Sequence, residues 1–184
     1  MADDGGGGQI RIPPVGRDMK ILVSTAGRHG ATHSLGQEMG RVFEHCGVDV
    51  DVRAPESVVR VDGYDALVIG SAVYSDRWVP AAKALVDRVS RSEHPPVWLF
   101  SCGPLHSSDR PVNVTSDAAH AVSVMHATAH RTFPGKLVPD RLSAGERQIF
   151  ENSGAVAGDF RDWVLVCNWA REILAWLNAE KRGS

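Results

Sequence analysis

Lys20-Ile21-Leu22-Val23-Ser24-Thr25-Ala26-Gly27-Arg28-His29-Gly30-Ala31-Thr32 is the stretch on which the fold turns. Its apolar run, Ile21-Leu22-Val23, has no polar interruption, as in a strand buried on both faces. A glycine-rich loop follows from Ala26 to Thr32. Beyond it Leu35, Met39, Val42 and Phe43 recur at helical spacing, and Cys46-Gly47 ends the pattern as glycine commonly ends helices. The unit is strand, glycine loop, helix.

Working outward, Val48, Val50 and Val52 alternate with Asp49 and Asp51, the pattern of an edge strand with one wet face. Ala66-Leu67-Val68-Ile69-Gly70 is continuously apolar and so central. It runs into Ser71-Ala72-Val73-Tyr74 and a loop carrying Asp76, Arg77 and Trp78. Pro80 suits the first turn of a helix whose inner face is Ala82, Leu85, Val86 and Val89. Val97-Trp98-Leu99-Phe100 reads as a third buried strand ending in the turn Ser101-Cys102-Gly103-Pro104. Residues 105 to 117 read as loop, Ala118 to His126 as helix, and His130 to Phe133 as a short last strand interrupted by Pro134-Gly135. Val166, Trp169, Ala170, Ile173, Leu174 and Leu177 form one apolar stripe of a final helix. Alternating buried strands and amphipathic helices argue for a parallel sheet covered on both faces.

At 184 residues and 43% hydrophobic, the chain suits one domain with a full core. Residues 1 to 18, with a four-glycine run and Pro13-Pro14, read as a disordered tail, which leaves 19 to 182 for the domain. A formal charge of −2 without a long Lys/Arg run lacks the electrostatic footprint of nucleic-acid binding. No apolar stretch reaches membrane-spanning length and no signal peptide is evident, so a cytoplasmic location is expected. Cys46, Cys102 and Cys167 are odd in number and widely spaced, which suggests neither a disulfide framework nor a zinc site.

Ligands of open parallel sheets sit outside the carboxyl ends of the strands, where the winding reverses. Three segments meet that description. Gly27 to Thr32 brings backbone N–H groups to a helix N-terminus, whose partial positive charge favours a phosphate, and Thr32 adds a hydroxyl. Ser71 to Trp78 offers Tyr74 and Trp78 as flat faces. Ser101, Cys102, Gly103 and Pro104 offer small residues and free backbone near a planar ring. Together they describe a mononucleotide with a large ring system. His126 and His130 have the spacing of a helical metal pair, but no acidic third ligand accompanies them and no metal is expected. Cys102 reads as a small residue in a tight turn, with a redox thiol as the alternative. No Gly-x-Ser-x-Gly elbow supports acyl hydrolysis.

At these segments the sequence resembles the flavodoxin superfamily, in particular flavodoxin-domain proteins related to menaquinone-dependent protoporphyrinogen dehydrogenase. Gly27-Arg28-His29-Gly30-Ala31-Thr32 is similar to that family's phosphate loop, Gly70 to Tyr74 with Trp78 to its flavin-edge loop, and Phe100 to Pro104 to the loop after its fourth strand. Phe133-x-Gly135-Lys136-Leu137, Gly158 to Trp163 and Trp169 to Ile173 resemble the subgroup's C-terminal signatures. The resemblance implies a flavodoxin-like, doubly wound, five-stranded parallel sheet of order 2-1-3-4-5 with helices on both faces. It also implies FMN as cofactor, held by Thr25, Gly27, Arg28, His29, Gly30, Ala31, Thr32, Ser71, Ala72, Val73, Tyr74, Trp78, Ser101, Cys102, Gly103 and Pro104. Gly27 departs from the family, which usually has a serine or threonine there; Ser24 and Thr25 lie close enough to substitute.

With FMN bound, the ring carries the chemistry and the protein needs no catalytic acid, base or nucleophile. Two function classes follow. One is an oxidoreductase acting on a quinone or porphyrinogen, with Arg77 and Arg110 available to a substrate carboxylate. The other is an electron carrier docking on redox proteins; carriers usually present a strongly acidic face, and Arg77, His106 and Arg110 in the ring-side loops argue against one. A domain that has lost flavin and serves as an interaction module is a third reading, kept open by Gly27.

Overall fold

The computed structural model describes residues 19–103, 114–153 and 156–183. β1 (Lys20–Ala26) lies inside the sheet, with β2 (Asp49–Arg53) parallel on one side and β3 (Ala66–Tyr74) parallel on the other. β4 (Arg77–Trp78) folds back antiparallel on the end of β3, β5 (Val97–Cys102) extends the sheet beyond β3, and β6 (Ala129–Phe133) pairs with β5. The resulting order, β2-β1-β3-β5-β6, is the expected doubly wound topology with the two-residue β4 off its path. Winding reverses between β1 and β3, so the crevice for a ligand opens at their carboxyl ends.

Each strand sends alternate residues to opposite cores. Ile21, Val23, Val68, Trp98 and Phe100 belong to the core that α1 (Ala31–His45) and the last helix cover, while Leu22, Leu67, Ile69 and Leu99 belong to the core under α2 (Pro80–Val89) and α3 (Ser116–Val124). After β6 the chain forms β7 (Lys136–Leu137), makes an excursion through α4 (Ala144–Ser153), and returns by β8 (Gly158–Asp159) antiparallel to β7. α5 (Trp163–Gly183) then packs beside α1, burying the predicted stripe Val166, Trp169, Ala170, Ile173, Leu174 and Leu177. Under the carboxyl ends of the strands the Phe100 ring lies edge-to-face with Phe133 at 5.8 Å and Trp169 at 6.2 Å. That ring covers Gly70 so closely that a Cβ there would stand 2.0 Å from Phe100 Cζ, which keeps this end of β3 flat.

Several expectations change at their boundaries. Ser71 to Tyr74 continue β3, and Ser101 and Cys102 continue β5, where loop residues were expected. The reversal after Tyr74 is a tight hairpin with Ser75 and Asp76 at φ +48° and +59°, left-handed conformations that a two-residue hairpin requires. α3 starts two residues before the expected Ala118 because the Thr115 hydroxyl caps it, accepting the Ala118 N–H at 3.1 Å. The tail, residues 1 to 18, and Pro104, His106 and Arg110 lie outside the described residues.

Candidate functional site

The loop between β1 and α1 is shaped by two glycines with different tasks. Gly30 adopts φ +81° at the N-cap of α1, where it provides no side-chain cap, and the first turn carries no acidic residue. The exposed N–H groups and the helix dipole therefore favour an external anion. Gly27 is required by contact rather than conformation: a Cβ on it would stand 2.7 Å from Thr32 Oγ1 and 3.4 Å from Ala72 Cβ. The side chain that the resemblance led one to expect at position 27 has no room.

The hydroxyls proposed to replace it are placed elsewhere. Thr25 is buried beneath α1, with its Oγ1 3.4 Å from His33 Nδ1. Ser24 is fully buried and its Oγ has no hydrogen-bond partner. Thr32 is 1% exposed and turns its hydroxyl to the Cys102 thiol. Burial pushes that thiol up to about 11, against smaller downward pulls from Thr32 and the Arg161 charge. At neutral pH Cys102 is a protonated packing residue, not a redox thiolate.

The aromatic pair is divided by strand alternation. Tyr74, half-buried, accepts the Arg28 backbone N–H at 3.1 Å, carries the Arg28 guanidinium over its ring at 5.0 Å and meets the His29 ring edge-on at 6.0 Å. It therefore joins the second loop to the first. Trp78 does not reach the rim, which corrects its assignment as a flat face for the ring. Because it pairs with Val73 across the hairpin, it turns inward and is 2% exposed. Its indole N–H donates to Ser101 Oγ at 2.9 Å and its backbone N–H to Asp117 Oδ2 at 3.0 Å. Ser101 also pairs with His130 Nε2 at 3.0 Å, and Ser71 Oγ accepts the Val79 N–H at 2.9 Å. These two serines thus spend their hydroxyls inside the sheet, and only their backbone is left for a ligand. Ala72, Val73 and Gly103 stay at the strand ends, with Gly103 at φ +103° and its N–H donating to Phe133 O at 2.9 Å.

Arg77, paired with Tyr74 across the hairpin, has a side chain 68% exposed. Its ion-pair partner, Asp117 at 3.6 Å, is also held by Lys83 at 3.0 Å. His126 lies beyond the end of α3 in a left-handed conformation while His130 lies on β6, so the pair does not share a helix. Among the described residues no three His, Cys, Asp or Glu side chains gather to hold a metal ion.

Two charged residues not anticipated from the sequence also reach this edge. Arg161 binds the Asp159 carboxylate with two nitrogens, donates to Ser34 Oγ in the first turn of α1 at 2.6 Å and stacks over Trp163 at 4.6 Å. Its hydrogen bonds are the main reason the Asp159 carboxyl is pulled down to about 2. Glu146, from α4, places Oε1 3.1 Å from Arg28 Nη1 and 3.5 Å from His29 Nε2. Its position was foreshadowed by Ser143-Ala144-Gly145-Glu146, a capping-box spacing.

A doubly wound sheet with an uncapped glycine loop at the reversal of winding defines a nucleotide-binding α/β domain. A family model for the flavodoxin domain matches residues 22–162, and the chain belongs to that family. No curated protein matches the sequence. Solved structures similar in fold include oxidised flavodoxin 2 from Bacillus cereus, 16% identical, with TM-score 0.55 over 88% of this chain and 99% of that one. A flavone reductase is 11% identical, with TM-score 0.58 over 90% of this chain and 65% of that one. Rubredoxin oxygen:oxidoreductase from Desulfovibrio gigas is 12% identical, with TM-score 0.57 over 91% of this chain, which spans only 37% of that protein.

The cofactor of this chain is FMN, as membership in the flavodoxin-domain family implies. The residues fit its phosphate: the space kept open at Gly27, the left-handed Gly30 and the uncapped start of α1 form a cradle, with Arg28 beside it. When bound, FMN supplies one- or two-electron redox chemistry. The chain supplies position, the charge around the loop and access to the ring.

Proposed function

We propose that this chain is an FMN-dependent oxidoreductase whose flavin reacts directly with a small organic molecule, a quinone to be reduced or a porphyrinogen to be oxidised. In this reading the Gly27–Thr32 loop and Arg28 hold the phosphate, and Ala72, Val73, Tyr74 and Gly103 border the ring. Arg77 receives a substrate carboxylate. The observation that carries the reading is the exposed Arg77 guanidinium beside the hairpin tip, whose only ion-pair partner among the described residues, Asp117, is also bonded to a lysine. An arginine so placed can bind a propionate through two parallel hydrogen bonds. Arg110 was read in the same role and lies outside the described residues. The porphyrinogen itself is suggested by the sequence resemblance alone.

The second reading is an electron carrier that docks on redox proteins. It is favoured by the fold shared with flavodoxins and disfavoured by the exposed Arg77 at the strand ends, where an acidic docking face would be expected. Among the described residues no helix is long and apolar enough to cross a membrane. A cytoplasmic location remains part of this proposal.

Stopped-flow oxidation of the reduced holoprotein separates the two readings. Flavin reoxidation by a small quinone is expected, and Arg77→Ala should raise KM for a carboxylated substrate about tenfold, the worth of one charge-assisted hydrogen bond, with an uncharged quinone unaffected. Fast transfer to a cytochrome with no reaction toward small acceptors would leave the carrier.

A further inference from the structure

We infer that Glu146 is an internal anion that occupies the phosphate loop, so that FMN binds by displacing it and cofactor entry releases α4 from the loop. This rests on the reading that the Gly27–Thr32 loop takes the phosphate.

The contact is specific at both ends. Glu146 Oε1 reaches Arg28 Nη1 at 3.1 Å across 118 residues of sequence and lies 3.5 Å from His29 Nε2. Oε2 accepts the Ser143 backbone N–H at 2.9 Å and the Ser143 hydroxyl at 2.8 Å, and Ser143 Oγ accepts the Glu146 N–H at 3.3 Å. One carboxylate oxygen is thus fixed to the start of α4 and the other to the loop. The carboxyl is held at about 2, chiefly by the Ser143 hydrogen bonds, so it is a full anion at neutral pH. The His29 Nε2 atom is buried beneath this contact without a hydrogen-bond partner, and the Arg28 guanidinium, 60% exposed, has only this carboxylate as an ion-pair partner among the described residues. Carboxylate and phosphate are recognised by the same cations, so Glu146 holds the place of the ligand's charge.

A phosphate monoester brings nearly two negative charges to the loop. Close to an ionised Glu146 it meets like-charge repulsion, and Arg28 cannot serve both anions at full strength. Rotation of the side chain alone does not remove the conflict, because the capping box ties the carboxylate to the first turn of α4. The turn must lift. The excursion that carries it stays attached at its base, where Lys136 pairs with Asp159 and Leu137 with Gly158. Ala144, Gly145, Arg147, Gln148, Glu151 and Asn152 of α4 are exposed.

The test uses full-length FMN-free protein, titrated with FMN by fluorescence quenching, with hydrogen exchange read over residues 144–153. Glu146→Gln keeps a capping-box side chain and removes the charge. It should bind FMN at least about tenfold more tightly than wild type, the change expected when a competing charged hydrogen bond is lost. In wild type, FMN, and at higher concentration inorganic phosphate, should speed exchange in α4; in Glu146→Gln exchange should be fast before any ligand is added. Ser143→Ala, which loosens the carboxylate without removing it, should shift affinity in the same direction and covers the case in which Glu146→Gln melts. Equal affinity in wild type and variants, or slower exchange in α4 on FMN binding, would overturn the inference while leaving the phosphate site intact. Failure of every form to bind FMN would overturn the site itself and the inference with it.

Discussion

Replacing Gly27 by alanine tests the packing of the phosphate loop at its tightest point. Gly27 lacks the positive φ of Gly30, so the substitution carries no conformational penalty of the left-handed kind. Its cost is steric. The new Cβ would stand 2.7 Å from Thr32 Oγ1, closer than side chains tolerate, and at a tight 3.1 Å from Thr32 Cβ, and Thr32 is 1% exposed within the first turn of α1. Overpacking of this kind costs about 1–3 kcal/mol. Thr32→Ala alone loses the hydrogen bond to Cys102 and a buried methyl, roughly 1–2 kcal/mol together. The double variant removes the worst contact along with the hydroxyl, so it should be about 1–2 kcal/mol more stable than the sum of the singles predicts. Urea denaturation of the FMN-free protein, with m unchanged across the cycle, measures this coupling. Additivity within about 0.5 kcal/mol would refute the argument, because the Cβ would then have found room without Thr32 giving way.

Two further outcomes follow from the hydrogen bonds at the strand ends. Tyr74→Phe removes the hydroxyl that accepts the Arg28 N–H but keeps the ring under the Arg28 guanidinium, so it should cost about 0.5–1.5 kcal/mol of stability and leave the flavin potential unchanged; unaltered stability in urea denaturation would remove this hydrogen bond from the account, and a shifted potential in redox titration would show that the hydroxyl itself reaches the flavin. Burial lowers His130 below its ordinary 6.5, and Ser101, which accepts from the Trp78 indole, can donate its own proton to His130 Nε2. The neutral form is thus favoured by folding, so its contribution is complete above pH 6.5 and is lost as pH falls through the depressed native value. Denaturation at pH 7 and pH 5 should show a smaller acid loss in His130→Gln than in wild type, and equal slopes would remove His130 from the account.

The order of strands, the two faces of the sheet and the glycine loop were legible because each rests on a local period. Ile21 to Val23, Ala66 to Ile69 and Val97 to Phe100 are apolar without interruption, as strands with helices on both faces must be. The stripe from Val166 to Leu177 could bury itself only as a helix face. Where the sequence reading stopped short, the cause was geometry across the chain. That Trp78 points inward follows from its pairing with Val73, since a two-residue hairpin sets the alternation and composition does not. That position 27 must be glycine follows from Thr32 folded back beneath it, a contact between residues that sequence spacing alone leaves at any distance. α4 carried a local start signal in Ser143 and Glu146, but its destination did not: a capping box says where a helix begins, and only the return through β8 brings its carboxylate to Arg28. The sequence by itself thus determined the doubly wound sheet and a loop suited to phosphate, because periodicity and glycine placement act over a few residues. Only the tertiary structure decided which side chains face that loop and which anion already stands there, because those depend on strand pairing and on contacts between residues more than a hundred positions apart in sequence.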